Sequence, residues 1–448
     1  MILISRETFF AALIQSKVCH QSPITGLLHK VPHEFFYLCR FLSVNCNDNY
    51  FFSKMRGLLF LFLGFLKSIQ RLSWKIKGKT ETDIHDERVV SGKAWEDFCD
   101  QLKLAGSSLI YPGAPQDAFQ QAEGLRYLTR LTRGGLEAFV EFNDPTFPVL
   151  RRTAHETIKL GADNPDNLYF NAQISGKHEY RLIGKRNTIH YIGFFTQNGN
   201  YGSTGGLSPC GALEHTDMKL EEDGSFEIIL SEIPKGKNWL KISKETSMVM
   251  VRQTYLDRAK EIPATVSISN MDGTSAPQPL TATMIDEGLK TASMFVAGAS
   301  LLFAHWAKGF KKHSNQLPLF DPAISNAAGG DANIIYYHSY WKLAPEEALV
   351  IEVKPPDCDS WNFQLNNYWM ESLDYRYFNI CINKASATYG EDGSVRVVVT
   401  HQDPGLPNWI NTCGHTEGTM LWRWYRLKPG EKAVEPVCKV IKLNMPLS

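Results

Sequence analysis

The sequence has no surplus of either charge. Its 448 residues contain 47 basic and 47 acidic side chains, so no basic surface stands ready to neutralise phosphates, and nucleic acid is not an expected partner. There is no C-x-x-C pair among nine cysteines (Cys19, Cys39, Cys46, Cys99, Cys210, Cys358, Cys381, Cys413 and Cys438), an odd number that predicts reduced thiols. No N-x-S/T site occurs, which favours an intracellular chain. The glycine-rich stretches lack the Gly-Lys-Ser/Thr of a P-loop and the helix opening of a dinucleotide fingerprint, and no H-E-x-x-H or G-x-S-x-G is present. Nucleotide binding and the commonest zinc-protease and serine-hydrolase designs are thereby disfavoured. Long apolar runs are scarce too. Gly57–Leu66 is only ten residues, well short of the ~30 Å hydrocarbon core of a bilayer at a rise of about 1.5 Å per residue.

What the chain does contain is a repeat. Glu222–Thr254 is echoed by Glu391–Tyr425: Glu-Asp-Gly-Ser, a proline, the Asn-Trp pairs Asn238-Trp239 and Asn408-Trp409, and the arginines Arg252 and Arg423 recur. After each Asp-Gly turn the apolar residues alternate, Phe226, Ile228 and Leu230 in one copy and Val395, Val397 and Val399 in the other, as half-buried strands require. A strand returns after each break, with Met420, Trp422 and Trp424 on one face and Leu421, Arg423 and Tyr425 on the other. A second echo aligns Pro165–Ile174 with Pro356–Leu365 and matches Asn171 and Gln173 to Asn362 and Gln364. On that alignment the first copy holds about 22 surplus residues, concentrated in the glycine-rich loop Thr196–His215, a candidate binding loop.

The predicted class is mainly β with helices (α+β): two tandem antiparallel β-sandwich or jelly-roll-like domains. Residues 1–90 form an N-terminal extension, of which 1–54 are poorly ordered or extraneous. Residues 57–79 join an apolar stretch to Lys67, Arg71, Lys75, Lys77 and Lys79, an interfacial helix suited to a membrane surface. Residues 91–162 read as a helical lead-in, with Trp95, Phe98, Cys99 and Leu102 at helical spacing. In its second helix Glu123, Arg126 and Arg130 suggest a solvated ion-pair face. The first sandwich is expected over 163–275, a linker with one long helix buried between the sandwiches over 276–340, and the second sandwich over 341–448. The uncharged centre of that helix, Thr291–Ala307, is too rich in Ala, Gly, Ser and Thr for a membrane span.

Together AWEDFCDQLKLAG, EGLRYLTRL, DNPDNLYFNAQI, the NWL and VRQTYLDR segments and Asp403, Pro404, Asn408, Trp409, Gly414, His415, Arg423 and Trp424 resemble the domain-of-unknown-function 1214 family. The resemblance runs from about Trp95 to Tyr425. It implies two β-sandwiches, the C-terminal one jelly-roll-like, and no particular reaction or cofactor.

Positions shared by both copies are expected to be scaffold, and chemistry found in one copy alone is where function could have been added. The second copy alone has His401, Asp403 and His415, ligand types that hold zinc or iron and could equally act as acid and base. A metal-assisted or acid/base enzyme of hydrolase or lyase type follows from that trio; neither a metal nor another cofactor is assigned. The leading expectation is instead a binding protein for a glycan or apolar small molecule, with its pocket near the sandwich joint or beneath the Thr196–His215 loop. Aromatic crowding from Tyr336 to Trp369 suggests Trp361, Gln364, Asn367, Trp409 and Asn411 as ligand contacts. A membrane-tethered structural protein is a third reading, resting on residues 57–79.

Overall fold

The computed structural model describes residues 78–199, 208–273, 276–327 and 330–443. The expectations for residues 1–54, for nearly all of the segment 57–79, and for residues 200–207 of the glycine-rich loop fall outside this range. The described chain is mainly β with helices, its sheets divided between two sandwich halves.

Three helices lead in: α1 (Glu81–Val90), α2 (Lys93–Ala105) and α3 (Ala118–Leu136). Asp117 starts α3 by accepting the Gln120 backbone N–H at 2.9 Å, so one of the unpaired amides of the first turn is satisfied. A π turn, Glu137–Glu141, ends the helix just before Asn143-Asp144-Pro145. The long helix α4 (Ala282–Phe310) is capped by Thr281 and buries Ala292, Val296, Ala299, Phe303 and Ala307. It connects the two sandwiches but packs on the lead-in helices and on the C-terminal sheet, not as a rod sandwiched between the two β domains. Gly288 is required there, because a Cβ would lie 2.5 Å from the Phe139 carbonyl oxygen. Asp286, in the first turns of α4, is buried and paired with His85 and Arg88.

The N-terminal sandwich is built from β1 (Arg151–Arg152), β2 (Asn167–Gln173), β3 (Tyr180–Lys185), β4 (Tyr191–Asn198), β5 (Ser208–Glu214), β6 (Ser225–Ser231), β7 (Trp239–Lys241), β8 (Thr246–Thr254) and β9 (Thr265–Asn270). The C-terminal one follows with β10 (Ile334–Lys342), β11 (Glu347–Val353), β12 (Cys358–Leu365), β13 (Cys381–Asn383), β14 (Val395–Thr400), β15 (Trp409–Asn411), β16 (Glu417–Leu427) and β17 (Val437–Lys442). The strand orders are β1-β2-β8-β4-β5 over β7-β6-β3-β9, and β10-β16-β12-β13 over β15-β14-β11-β17. Apart from the short edge strand β1, each strand from β2 to β9 therefore has a counterpart eight strands later. The Tyr336–Trp341 aromatic run is a strand of the second sandwich, which starts at Ile334 and not at residue 341. Arg151 and Arg152 likewise belong to the first sheet, not to the helical lead-in.

The duplication extends to hydrogen bonds. Trp239 pairs in parallel with Ile229, and Trp409 with Val398, its positional equivalent. The Asn238 carboxamide takes the Lys219 N–H (2.7 Å) and donates to the carbonyls of Lys219 (3.0 Å) and Glu227 (2.9 Å). That of Asn408 takes the Thr388 N–H (2.7 Å) and donates to Thr388 (2.7 Å) and Arg396 (3.0 Å). One side chain in each copy thus closes three backbone groups, which is why the Asn-Trp pair recurs.

The second echo does not survive. Strand order makes β12 the counterpart of β4, and β2 the counterpart of β10. In register, Gly193 lies opposite Arg252 and Asn362 opposite Arg423, so Tyr191–Ser231 aligns without a gap onto Ser360–Thr400. The surplus of 22 residues vanishes, because it came from pairing Asn171-x-Gln173 with Asn362-x-Gln364 across non-equivalent strands.

No helix among the described residues is long and apolar enough to cross a membrane. Replacing Asn238 or Asn408 by alanine leaves three backbone groups without their partner. Each substitution is expected to lower unfolding free energy by about 1–3 kcal/mol in urea denaturation, and an effect below a few tenths of that in both would remove the clamp from the account of the fold.

Candidate functional site

Antiparallel sheets alternate their side chains between two faces, and here both outer faces are occupied at the joint. In the N-terminal sandwich Ala172, Val249, Val251 and Phe194 point into the core, which turns Asn171, Met248, Met250, Arg252 and Gln197 outward. In the C-terminal sandwich Tyr337, Phe363, Trp422 and Trp424 are core, and His338, Leu421, Arg423 and Tyr425 turn outward. Between the two outer faces lies a cavity of about 260 Å³, closed along one side by Phe295, Phe303 and Trp306 of α4 and along another by residues 151–163.

The two repeated arginines have diverged. Arg423 donates to Gln364 Oε1 (2.6 Å), Asn362 Oδ1 (3.3 Å) and the Ala162 carbonyl (2.5 Å), so neutral acceptors surround its guanidinium. At the equivalent positions of the first copy stand Phe195 and Gly193, which offer no side-chain acceptor. Arg252 pairs instead with Asp331 and with the Tyr191 hydroxyl (3.3 Å), and stacks over Phe195 with its guanidinium carbon 5.0 Å from the ring centre. Burial opposes its charge, but the Tyr191 and Asp331 oxygens hold its pKa well above the usual arginine value. Its Nε has no hydrogen-bond partner among the described residues.

Three further cavity-lining polar atoms are buried without a hydrogen bond among the described residues: Arg151 Nη1, which has only the Glu137 carboxylate at 3.5 Å, Asn171 Oδ1 and Gln197 Oε1. Gln197 is 4% exposed and Arg252 9%. His338 sits among rings, stacked on Phe310 (centroids 5.4 Å apart) and Tyr336 (5.7 Å), with Phe320 edge-on at 5.0 Å. Burial, with Arg423 adding to it, pushes its imidazole down to about 3, so it faces the cavity uncharged at neutral pH.

The cavity's C-terminal rim is held by a buried polar network. Lys159 donates to the carbonyls of Ser372 (2.7 Å) and Leu373 (2.8 Å), and Asp163 accepts from the Ser372 N–H (3.0 Å) and hydroxyl (2.7 Å). Asn164 bonds both Asn362 (2.8 Å) and the Tyr425 hydroxyl (2.7 Å). Arg130, expected on a solvated face, instead anchors to buried Glu371 at 2.8 Å; Arg126 and Glu123 do form the surface pair.

The sequence candidates lie elsewhere. His401 bonds Thr412 Oγ1 (2.9 Å) and the Leu343 carbonyl (3.3 Å). Exposed Asp403 accepts the Gly405 N–H (2.8 Å), and His415 is buried against Gln120 Oε1 (2.9 Å) and the Phe119 ring. His401 thus ties the loop after β14 to two distant segments, Asp403 closes its own turn and His415 meets α3, and no group of three side chains that could hold a metal ion occurs among the described residues. Burial pushes the Cys413 thiol up to about 12, the reverse of an activated nucleophile. None of the five proposed ligand contacts lines the cavity. Trp361 is stacked on Trp422 inside the core, 5.0 Å between centroids; Gln364 is engaged by Arg423, and Asn367 is bonded to Glu371 (2.8 Å). The Asn411 side chain closes onto the Cys413 N–H, and Trp409 lies beside Val398 at the sheet edge. The sequence reading missed Arg151, Gln197 and His338. The ungapped match through Phe194 and Phe363 was a signal for Gln197 alone, which it sets opposite Asn366; nothing in the sequence pattern singled out Arg151 or His338.

Burial, with Arg126 adding to it, lowers the His415 imidazole to about 4 from its ordinary 6.5. As pH falls, the unfolded chain takes the proton first, so stability from neutral His415 is complete above pH 6.5 and shrinks as pH drops toward 4. His415→Gln is expected to lose about 2–3 kcal/mol less than the parent between pH 7.5 and 4.5 in urea unfolding; parallel pH profiles would contradict this.

No family model and no curated protein matches the chain. Among solved structures, an uncharacterized protein from Burkholderia cenocepacia is 47% identical, with a TM-score of 0.78, over 80% of this chain and 98% of that one. A protein from Vibrio parahaemolyticus aligns over 76% of this chain and 100% of its own at 11% identity and a TM-score of 0.42.

Proposed function

We propose that this chain, which belongs to the family of the Burkholderia cenocepacia protein, binds a small amphipathic molecule in the cavity at the sandwich joint. The observation that carries this reading is the coincidence of a cavity with four buried polar atoms on its wall that have no hydrogen bond among the described residues. Leaving such a group unpaired costs roughly 1–3 kcal/mol, and folded chains retain few. A ligand that supplies the partners recovers that cost, while Phe295, Phe303, Trp306, Met250 and Leu421 receive its apolar part. The volume of about 260 Å³ lies near the lower edge of the roughly 300–1,000 Å³ common for ligand pockets, which suits a small molecule better than an oligosaccharide.

The metal or acid/base alternative loses support from the separate settings of His401, Asp403 and His415. The membrane-tethered reading depends on residues 57–79. The same proposal places the protein inside the cell, which its six described cysteines, all free thiols, favour. It keeps the resemblance to the domain-of-unknown-function 1214 family as an assignment without a reaction.

The neutral fluorophore N-phenyl-1-naphthylamine is expected to bind saturably at one site per chain. Met250→Trp, which fills the cavity, should weaken that binding at least tenfold while a cooperative unfolding transition is kept. Binding equally strong in this variant, or none in the parent, would defeat the pocket reading.

A further inference from the structure

The four cavity-wall atoms that lack a hydrogen bond among the described residues occupy neighbouring rungs of one sheet. Arg151 pairs in register with Asn171, Asn171 with Met250, and Met250 with Phe195, so one rung runs Arg151, Asn171, Met250, Phe195 across four strands. The next rung on the same face runs Gln173, Met248, Gln197, and the rung on the other side runs Tyr169, Arg252, Gly193. With strands about 4.8 Å apart and about 6.8 Å per two residues, the four polar positions frame a patch roughly 14 Å on a side.

The chemistry of the four groups is specific. Arg151 Nη1 and Arg252 Nε are donors on cations, and both need an acceptor. Asp331 already balances Arg252, but Arg151 has only Glu137, at 3.5 Å, and that carboxylate is shared with Arg133 at 2.9 Å. Burial presses the Arg151 pKa down, which marks a guanidinium short of a counter-charge. Of the three guanidiniums on the cavity wall, Arg252 is paired with Asp331 and Arg423 is held by neutral acceptors, with Asp163 the one carboxyl beside them, so Arg151 is the cation with the weakest counter-charge. An anion therefore fits where a neutral group would leave the excess charge in place. Asn171 and Gln197 ask for something a carboxylate alone cannot give. Their Oδ1 and Oε1 need donors, and turning the Asn171 amide over would only exchange which of its atoms lacks a partner, since its other end already meets Met248 Sδ at 2.9 Å. A hydroxyl serves in either case, because it both donates and accepts.

We infer that the cavity takes a small hydroxylated organic acid with an aromatic or aliphatic body, its carboxylate held by Arg151 and Arg252 and its hydroxyl by Asn171 and Gln197. This rests on the pocket reading above and narrows it to one chemical class. The apolar body lies against Phe295 and Trp306, and neutral His338 faces it without adding charge.

Calorimetric titration of the full chain with four probes tests this: mandelate, phenylacetate (hydroxyl removed), methyl mandelate (charge removed) and glucose (a neutral polyol). Mandelate is expected to bind most tightly, phenylacetate and methyl mandelate each at least tenfold more weakly, and glucose not at all. Arg151→Gln should weaken mandelate at least tenfold and leave methyl mandelate within twofold, whereas Gln197→Leu should abolish the difference between mandelate and phenylacetate. The inference is overturned if methyl mandelate or glucose binds as tightly as mandelate, if Arg151→Gln leaves mandelate binding unchanged, or if no acid in the panel binds. Should that happen while N-phenyl-1-naphthylamine still binds and is lost in Met250→Trp, the acid assignment fails and the pocket stands. If both fail, the pocket itself is wrong.

Discussion

Two sandwiches that turn polar sheet faces toward each other must satisfy both faces without water, and the guanidinium of Arg423 is where that requirement is met. It reaches the Asn362 and Gln364 side chains of the neighbouring strand and the Ala162 carbonyl of the segment arriving from the first sandwich. The last of these bonds depends on an unusual backbone. Ala162 has φ of 58°, and its N–H is taken by the carbonyl of Met370, itself at φ 58°. Non-glycine residues accept that left-handed region only where the surroundings impose it. The joint is thus fixed by backbone from both sides, the segment at Ala162 and the turn at Met370, with the arginine bonded to the first.

Ionic groups around this joint show what the arrangement costs. Burial raises the carboxyls of Asp163 and Glu371 and lowers the ammonium of Lys159, while each group's nearest opposite charge pulls the other way. Such networks are not strong sources of stability, since desolvation offsets much of the attraction. Their effect is on geometry. Lys159 can meet the Ser372 and Leu373 carbonyls, and Arg130 can meet Glu371, in only one placement of the lead-in helices and the segment 159–167 on the second sandwich. A displaced joint would strand four charged groups away from water. The cavity inherits its shape from that restriction.

The parts of this fold that could be read from sequence are those where backbone geometry dictates residue type. Gly224 and Gly393 sit at φ 81° and 79° in the repeated turns, and Asn238 and Asn408 close matching sets of backbone groups, so both kinds of position resisted divergence and made the duplication visible. Strands β4 and β12 kept Phe194 and Phe363 in their cores but little on their outer faces, and a chance Asn-x-Gln match drew the alignment to β2 instead. The joint was legible as a place, not as a set of residues. An outward polar residue on an alternating strand reads the same whether water or another sheet lies beyond it, and only the tertiary arrangement separates Asn171 from a solvated asparagine. The histidines misled for the opposite reason, since imidazoles that fasten turns and imidazoles that bind metals are alike until their partners are seen.

Comparison of the copies explains why a cavity lies against one arginine and not the other. Sheet register and strand order are the same, so both guanidiniums project from equivalent rungs, each opposite a tyrosine, Tyr169 in one copy and Tyr336 in the other. In the second copy Asn362 and Gln364 fill the adjoining positions and take up the donors. In the first, a Cβ on Gly193 would come within 2.3 Å of the Tyr191 hydroxyl, so that tyrosine's position excludes a second asparagine. Tyr191 in turn bonds Glu214 at 3.0 Å and receives Arg252. The exchange of an amide pair for Gly193, Tyr191 and Phe195 therefore acts as a unit. It swings the guanidinium onto Asp331, replaces two acceptors by ring faces, and leaves one N–H on a cavity wall that the other copy has closed.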